Sequence, residues 1–436
     1  MRKLSTFQVV VTALFIIFIV GGVLLFAGVG GFGGSDTDIG EVVMWGTYDD
    51  KVIHDVINEL SFDDERFDHI KYVEKDPRTF DADLVEALAA DRGPDIFFLT
   101  QDTILRHKDK IFPIPFDTMS ERAFKNAFIE EGELFLSTDG IIAMPFIIDP
   151  LVLYWNRNHY ASAGISRPPQ FWDELLASAI DGALTKRGDS GAIEQSAFAI
   201  GEYQNIAHAK ELLALLMLQA GSVITEKSGE TGDVSSALIR RLEDGQSPAE
   251  NALRFYTDFA NPSKSVYTWN RALPEAQKAF VSGMLANYIG FSSELGSIRE
   301  QNANLNFDIA LVPKVRNGQT NVTFGEITSL AIPKGSANIK GALQIVFALS
   351  SEMSLEKFSS AMNLAPVSRS LLTNRAVDPF KVIFADAALQ SHGWLDPDVS
   401  ATEGIFKTMI ESVLSGKSRV SEAVNTAHRE IENLLP

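Results

Sequence analysis

The chain has 436 residues, no cysteine, 57 acidic against 38 basic side chains and a net charge of −19. That balance argues against a nucleic-acid partner, which needs a basic surface to displace phosphate counterions, and the missing thiols exclude disulfide staples and thiolate chemistry. A hydrophobic content of 45% with 29 phenylalanines supplies the core for two lobes or more.

Residues 4 to 35 carry no charged side chain, and Arg2 and Lys3 stand directly before them. Val9 to Val29 is apolar or glycine apart from Thr12. At about 1.5 Å rise per residue such a helix crosses a hydrocarbon core of roughly 30 Å, with the two cations held on the cytoplasmic side. The expectation is a stub over 1–6, an uncleaved single-pass transmembrane anchor over 7–29, a glycine-rich tether over 30–39 and an extracytoplasmic remainder. A cleaved signal is the alternative, with a poor small-x-small match near Ala27. Gly28, Gly30 and Gly33 have the spacing of a dinucleotide loop, but they follow a membrane span instead of a strand.

Beyond the tether, strands and helices alternate, which predicts an α/β fold with largely parallel sheets. Val42 to Trp45 reads as a strand, and Val52, Ile53, Val56, Ile57 and Leu60 recur at helical spacing. Strands are expected at Ile70–Val73 and Ile96–Leu99, with a helix over Asp83–Ala90 between them, stopped at Gly93-Pro94. Leu151–Trp155, Ala197–Ile200, Leu285–Ile289, Ile309–Val312 and Thr328–Ile332 read as further strands. Helices are expected over Trp172–Ile180, through the leucine run from Leu212 to Leu218, and over Ala252–Phe259 and Ala276–Phe280. Two more carry the stripes Ile405, Met409, Val413 and Ala423, Ala427, Ile431, broken by Gly416, with Ser418 as a cap.

The chain contains no H-E-x-x-H, no Walker A loop and no G-x-S-x-G elbow, and its seven histidines are scattered. Neighbouring acids such as Asp49-Asp50 or Glu130-Glu131 are common in a chain this acidic and do not by themselves argue for glycosidase chemistry.

One region is more specific. Gly140, Pro145, Leu153, Asn156, Gly164, Pro168, Trp172 and Glu174 fall in a run, GIIAMPFIIDPLVLYWNRNHYASAGISRPPQFWDEL, that resembles the family 1 extracellular solute-binding proteins of bacterial ABC importers, the group that includes maltodextrin-binding receptors. Trp155 and Phe171 replace the tyrosine and threonine usual there, without altering the spacing. Phe280–Gly290 resembles a further block of that family, with Asn287 where methionine is usual. Phe307–Pro313 followed by Gly325–Gly335 resembles its return through the first lobe, and Ile405–Leu435 its C-terminal helix pair. The lipid-attachment cysteine usual in the family is absent, a place the membrane helix would fill.

The resemblance implies a two-lobed periplasmic-binding-protein-like fold of type II, with hinged lobes and a ligand cleft. Lobe one would be 40–146 plus 289–350, lobe two 147–288 plus 351–436, and the stretch Pro145–Pro150 a hinge. It implies a membrane-tethered, monomeric receptor that binds a mono- or oligosaccharide without turnover and hands it to an ABC importer permease, using no cofactor and no metal. An extracytoplasmic carbohydrate-active enzyme and a sensor without transport duty are competing readings on the same scaffold.

A sugar site needs aromatic plates and polar side chains that hold hydroxyl pairs. Each candidate has a structural alternative. Trp45, Tyr48 and Asp49 end the first strand, where Trp45 also suits a core and Asp49 a helix cap. Gln101 and Asp102 follow the third strand, with Asp102 again a cap. Asp149 lies at the hinge, where the resembling family often places a ligand carboxylate, or it is a turn residue before Pro150. Glu202 and Tyr203 follow Ala197–Ile200. Trp269 sits in the polar loop SVYTWNR, in a region where that family commonly uses an aromatic plate. Phe291 and Ser292 follow another strand, and Glu326 lies beside Gly325. Trp394 and Arg369 are weaker candidates with plausible structural roles.

Overall fold

The computed structural model describes residues 39–180, 182–229, 232–316, 318, 321–374 and 378–436. The anchor expected over 7–29 and all but the last residue of the tether lie outside these. No helix among the described residues is long and apolar enough to cross a membrane.

Strand β1 (Val42–Gly46) leads into the helix Asp50–Ser61, which Asp49 caps by accepting the Val52 N–H at 3.1 Å. The expected stripe Ile53, Val56, Ile57 and Leu60 is the buried face of that helix. Strand β2 (Ile70–Glu74), the helix Phe80–Ala89 and strand β3 (Ile96–Thr100) complete a β-α-β-α-β unit, with Ile96 to Leu99 buried on both faces. Strand β4 (Met144–Asn156) follows. The second part of the chain adds β5 (Lys186–Arg187), β6 (Ile193–Phe198), β7 (Leu285–Phe291) and β8 (Phe307–Ala310). Strands β9 (Gly325–Ala331) and β10 (Ala365–Pro366) return to the first part.

The sheet runs β2-β1-β3-β9-β4-β7-β6-β5, with β8 and β10 also pairing β4. Pairing is parallel for β1 with β2, β1 with β3 and β7 with β6. It is antiparallel for β9 with β3 and for every partner of β4. The expected largely parallel sheet is therefore a mixed one. Helical crossovers make β2-β1-β3 and β7-β6 parallel, whereas β9 and β7 run antiparallel to the central strand and the edge strand β5 antiparallel to β6.

Strand β4 changes partners along its length. Its residues 144–150 pair with β9, and its residues 151–155 with β7. The changeover falls at Pro150, which has no N–H to give to a ladder. Its carbonyl instead accepts from Ser292 at 3.0 Å. Both β7 and β8 pair with the 151–156 end of β4, beyond Pro150. The two C-terminal helices are Val399–Leu414 and Val420–Glu432, separated by Gly416 at φ +71. The expected cap at Ser418 lies one residue early, since the Arg419 N–H donates to the Glu422 carboxylate at 2.9 Å.

Candidate functional site

The carboxyl ends of β1 and β3 and the midpoint of β4 converge on one face. In open α/β sheets, ligands bind outside the carboxyl ends of strands. Tyr48, two residues past β1, shares a hydrogen bond of 3.1 Å with the Thr328 hydroxyl on β9. Glu326 lies two residues before Thr328 and so on the same face of β9. Glu326 pairs in register with Asp149 on β4. Directly opposed side chains of an antiparallel pair stand roughly 5 Å apart, and like charges there are destabilising. Asp149 accepts from the Ser292 hydroxyl at 2.7 Å and from the Ser293 N–H at 3.0 Å, so the end of β7 is tied to the same point.

Asp102 follows β3 and accepts the Thr100 hydroxyl. Across from it lies the first turn of the helix Ala209–Gln219, which carries Lys210 and Glu211. Lys210 is 5% exposed and donates to Asp396 at 2.7 Å, which also accepts the Thr402 hydroxyl at 2.8 Å. Its ammonium lies 5.6 Å from the Trp394 ring centroid. His208, just before the helix, meets Glu294 at 2.7 Å.

Burial pushes the Asp102, Asp149, Glu211 and Glu326 carboxyls above their ordinary values, with neighbouring carboxylates adding to the effect. For Glu326 those neighbours are Asp102, Glu211 and Asp149, and Lys210 opposes them. Burial likewise raises the Tyr48 phenol. Yet Tyr48, Asp102, Asp149 and Glu211 are only part-buried, and Glu326 is exposed. Side chains ringed by protein and still reached by water line a crevice. Glu294 is the contrast: burial would raise it, but His208, Tyr288 and the Phe291 N–H together hold it below the usual carboxylate range. Burial pulls the His208 imidazole down, and Glu294 more than offsets this, leaving it raised.

Of the expected site residues, Tyr48, Asp102, Asp149, Ser292 and Glu326 come together here. Gln101 stands beside them with both ends of its amide engaged: it accepts the Ile327 N–H at 2.8 Å and donates to the Gly325 carbonyl at 3.1 Å. It therefore pins the start of β9. Phe291 is 6% exposed, its ring packed edge-on against His208 at 4.8 Å. Three expectations need correction. Trp269 is a core residue, fully buried with its indole N–H on Asn205 at 3.1 Å, so it offers no free face as a plate. The polar loop around it hid a ring that points inward. Asp49 is spent as the cap described above. Trp45 is covered by the Lys75 ammonium at 3.7 Å, in a surface pocket with Asp83, Glu86 and Arg92, apart from Tyr48.

Glu202 is 5% exposed and paired with Arg271 at 3.3 Å, and the Tyr203 hydroxyl donates to Glu403, which gives both residues partners outside the acidic face. Arg369 donates to the Lys125 carbonyl at 3.2 Å. Sequence reasoning missed His208, Lys210, Glu211, Thr328 and Asp396. The leucine run drew attention to the buried body of the helix 209–219, whereas its first turn carries the charges. Two cavities of about 650 Å³ lie elsewhere: one borders Trp155 and Arg167, the other Trp172 and Phe255. Among the described residues, no cluster of histidine and acidic side chains is arranged to hold a metal ion.

Residues 69–382 match a family model described as bacterial extracellular solute-binding protein. A binding protein of Brucella abortus is 22% identical over 331 residues, covering 74% of each chain, and one of Brucella suis matches to the same extent. Solved structures with a similar fold include a cyclo/maltodextrin-binding protein complexed with maltotetraose (TM-score 0.71, 16% identity, 90% of this chain and 96% of that one). The cyclic α-maltosyl-1,6-maltose binding protein of Arthrobacter globiformis gives a TM-score of 0.73 at 16% identity, covering 90% and 98%. A receptor of Streptomyces glaucescens solved in complex with acarbose gives 0.66 at 18%, covering 91% and 98%.

Proposed function

Because this chain belongs to the bacterial extracellular solute-binding proteins, we propose that it is the extracytoplasmic receptor of an ABC importer, taking a mono- or oligosaccharide into a cleft between two lobes and delivering it to a permease. The carrying observation is the convergence of Tyr48, Asp102 and Glu326 from one end of the sheet with Lys210 and Glu211 from the other. Asp149 lies between them on the strand that belongs to both ends. The similar structures bound to maltotetraose and acarbose support a carbohydrate as the solute.

In this reading the lobes are joined where β4 changes partners, at Pro150, and where the chain recrosses after Ala310. Closure about those crossings brings His208, Lys210 and Glu211 toward Asp102 and Glu326. Asp149 keeps its place in both states because Ser292 and Ser293 hold it from the far side. The role is binding without turnover by a monomer, tethered through the apolar segment 7–29. Titration calorimetry with maltodextrins, mannobiose and their monomers tests the reading, with chromatography of the recovered sugar. Saturable binding of at least one sugar, recovered unaltered, supports it; no binding of any sugar, or recovery of cleaved product, overturns it.

A further inference from the structure

A cavity of about 650 Å³, apart from the acidic face, is walled by segments far apart in the chain. They are residues 167–170 ahead of the helix Trp172–Ile180, β8 with the chain that leaves it, and the helix Pro379–Leu389. Its volume is that of a small-molecule pocket. The wall is chiefly apolar: Pro168, Pro169, Ile309, Leu311 and Ile383 contribute to it, and Trp155 on β4 supplies an aromatic surface. Trp155 is only half-buried, with Tyr160 packed T-shaped against it at 5.0 Å. Its indole N–H has no hydrogen-bond partner among the described residues. The buried Trp172 and Trp269 differ, donating to the Gln219 and Asn205 amide oxygens at 2.6 and 3.1 Å. A half-covered indole offers a flat apolar surface and one donor at its edge.

The charged part of the wall is basic. Arg167 and Lys314 both line the cavity, and among the described residues no aspartate or glutamate does, although the chain carries a net charge of −19. The backbone ties the two segments together: the Lys314 N–H donates to the Gln170 carbonyl at 3.0 Å, and the Trp172 N–H to the Lys314 carbonyl at 3.1 Å. Neither cation has an ion-pair partner among the described residues. The acids of the adjoining helix are taken by Arg316 instead, Asp173 at 2.7 Å and Glu174 at 2.9 Å. Asp308 opposes Trp155 in register on β8, but it stays outside the lining, with its carboxylate on the Ile309 N–H at 2.9 Å. Two unpaired cations beside a chiefly apolar wall suit one anionic group carried on an apolar body.

We infer that this cavity is a second ligand site, separate from the acidic face, and that it takes a small aromatic carboxylate. The ring lies against Trp155 and the apolar wall, and the carboxylate meets Arg167 and Lys314. A guanidinium fork matches a carboxylate through two parallel bonds, and the ammonium adds a point charge beside it. The site stands whichever solute fills the cleft.

Titration calorimetry at about pH 7 would compare indole-3-acetate with indole-3-acetamide, which has the ring without the charge, and with cyclohexylacetate, which has the charge without the aromatic ring. Indole-3-acetate should bind saturably at one site, at least about tenfold tighter than the amide and about fivefold tighter than cyclohexylacetate. Arg167→Gln and Lys314→Gln should each remove most of the preference for the acid over the amide. Both should leave the melting temperature unchanged, as befits side chains without ion-pair partners. Saturable binding with that preference, lost in both variants, supports the inference. No saturable binding at millimolar concentration, equal binding of the amide or of cyclohexylacetate, or unaltered binding in the two variants overturns it.

Discussion

Glu294 and Glu326 are both glutamates beside the same crossing strand, and the protein treats them oppositely. Glu294 is enclosed by donors: the His208 imidazole at 2.7 Å, the Tyr288 hydroxyl at 2.6 Å, the Phe291 N–H at 2.8 Å and the Gln277 amide. Glu326 faces Asp149 across the ladder and has other carboxylates for neighbours. The first acid is architecture, because its partners are built in. The second has no built-in donor among the hydrogen bonds around it. Trp269 and Tyr48 repeat the contrast for aromatics: the indole is buried with its N–H satisfied, and the phenol lies at the crevice on Thr328.

The comparison can be tested hardest on its architectural side. Trp269→Ala removes the largest fully buried ring and should cost about 3–5 kcal/mol in urea denaturation. Ligand affinity of the folded fraction should stay unchanged; a matching loss of affinity would place the ring in the cleft after all. Glu294→Gln leaves His208 without its carboxylate and should cost about 3 kcal/mol, measured the same way. Glu326→Gln should leave stability unchanged or raise it.

Gly325→Ala probes the seam between the two environments. Its added methyl would meet the Ser391 hydroxyl at 2.7 Å and both Glu131 and Ile148 at 3.0 Å. The expected loss is about 1–3 kcal/mol.

A pH series separates the two acids by sign. The Asp102, Asp149, Glu211, Glu326 and Glu131 carboxyls are raised in the folded state, from ordinary values of 3.8 and 4.5. Their stabilising contribution is therefore full below those ordinary values and is lost as pH climbs through the raised ones. Glu294 is lowered from 4.5, so its contribution is present above that value and lost as pH falls through the lowered one. The ligand-free protein should thus lose stability as pH climbs above the ordinary carboxylate value of 4.5 and through the raised values of these groups. Glu326→Gln should flatten that limb, and Glu294→Gln the acid limb. The reverse assignment of limbs would break the comparison. The smallest effect belongs to Asp49→Ala, which removes a cap worth about 1 kcal/mol in thermal unfolding and should leave binding untouched.

Much of this was legible in the chain. The strands Val42–Gly46, Ile70–Glu74 and Ile96–Thr100 and the helix stripes follow from apolar periodicity, which reflects local burial. Asp149 stood out at the hinge that the family resemblance implies, and Glu326 beside Gly325. Lys210 and Glu211 did not, because the first turn of a leucine-rich helix looks like solvated capping until its partner Asp396, 186 residues on, is brought to it. Trp269 misled for the converse reason: a polar loop in sequence folds over its own ring.

The sequence by itself determined the alternation of elements, the excess of acid, the absence of thiol chemistry and the family resemblance, since each depends on residue type and local spacing. Only the tertiary structure decided which acids are satisfied and which face one another. Pairing Glu326 with Asp149 depends on the register of strands 177 positions apart in the chain, and a hydrogen-bond donor or a like charge alters a carboxylate only when folding carries it within a few ångströms.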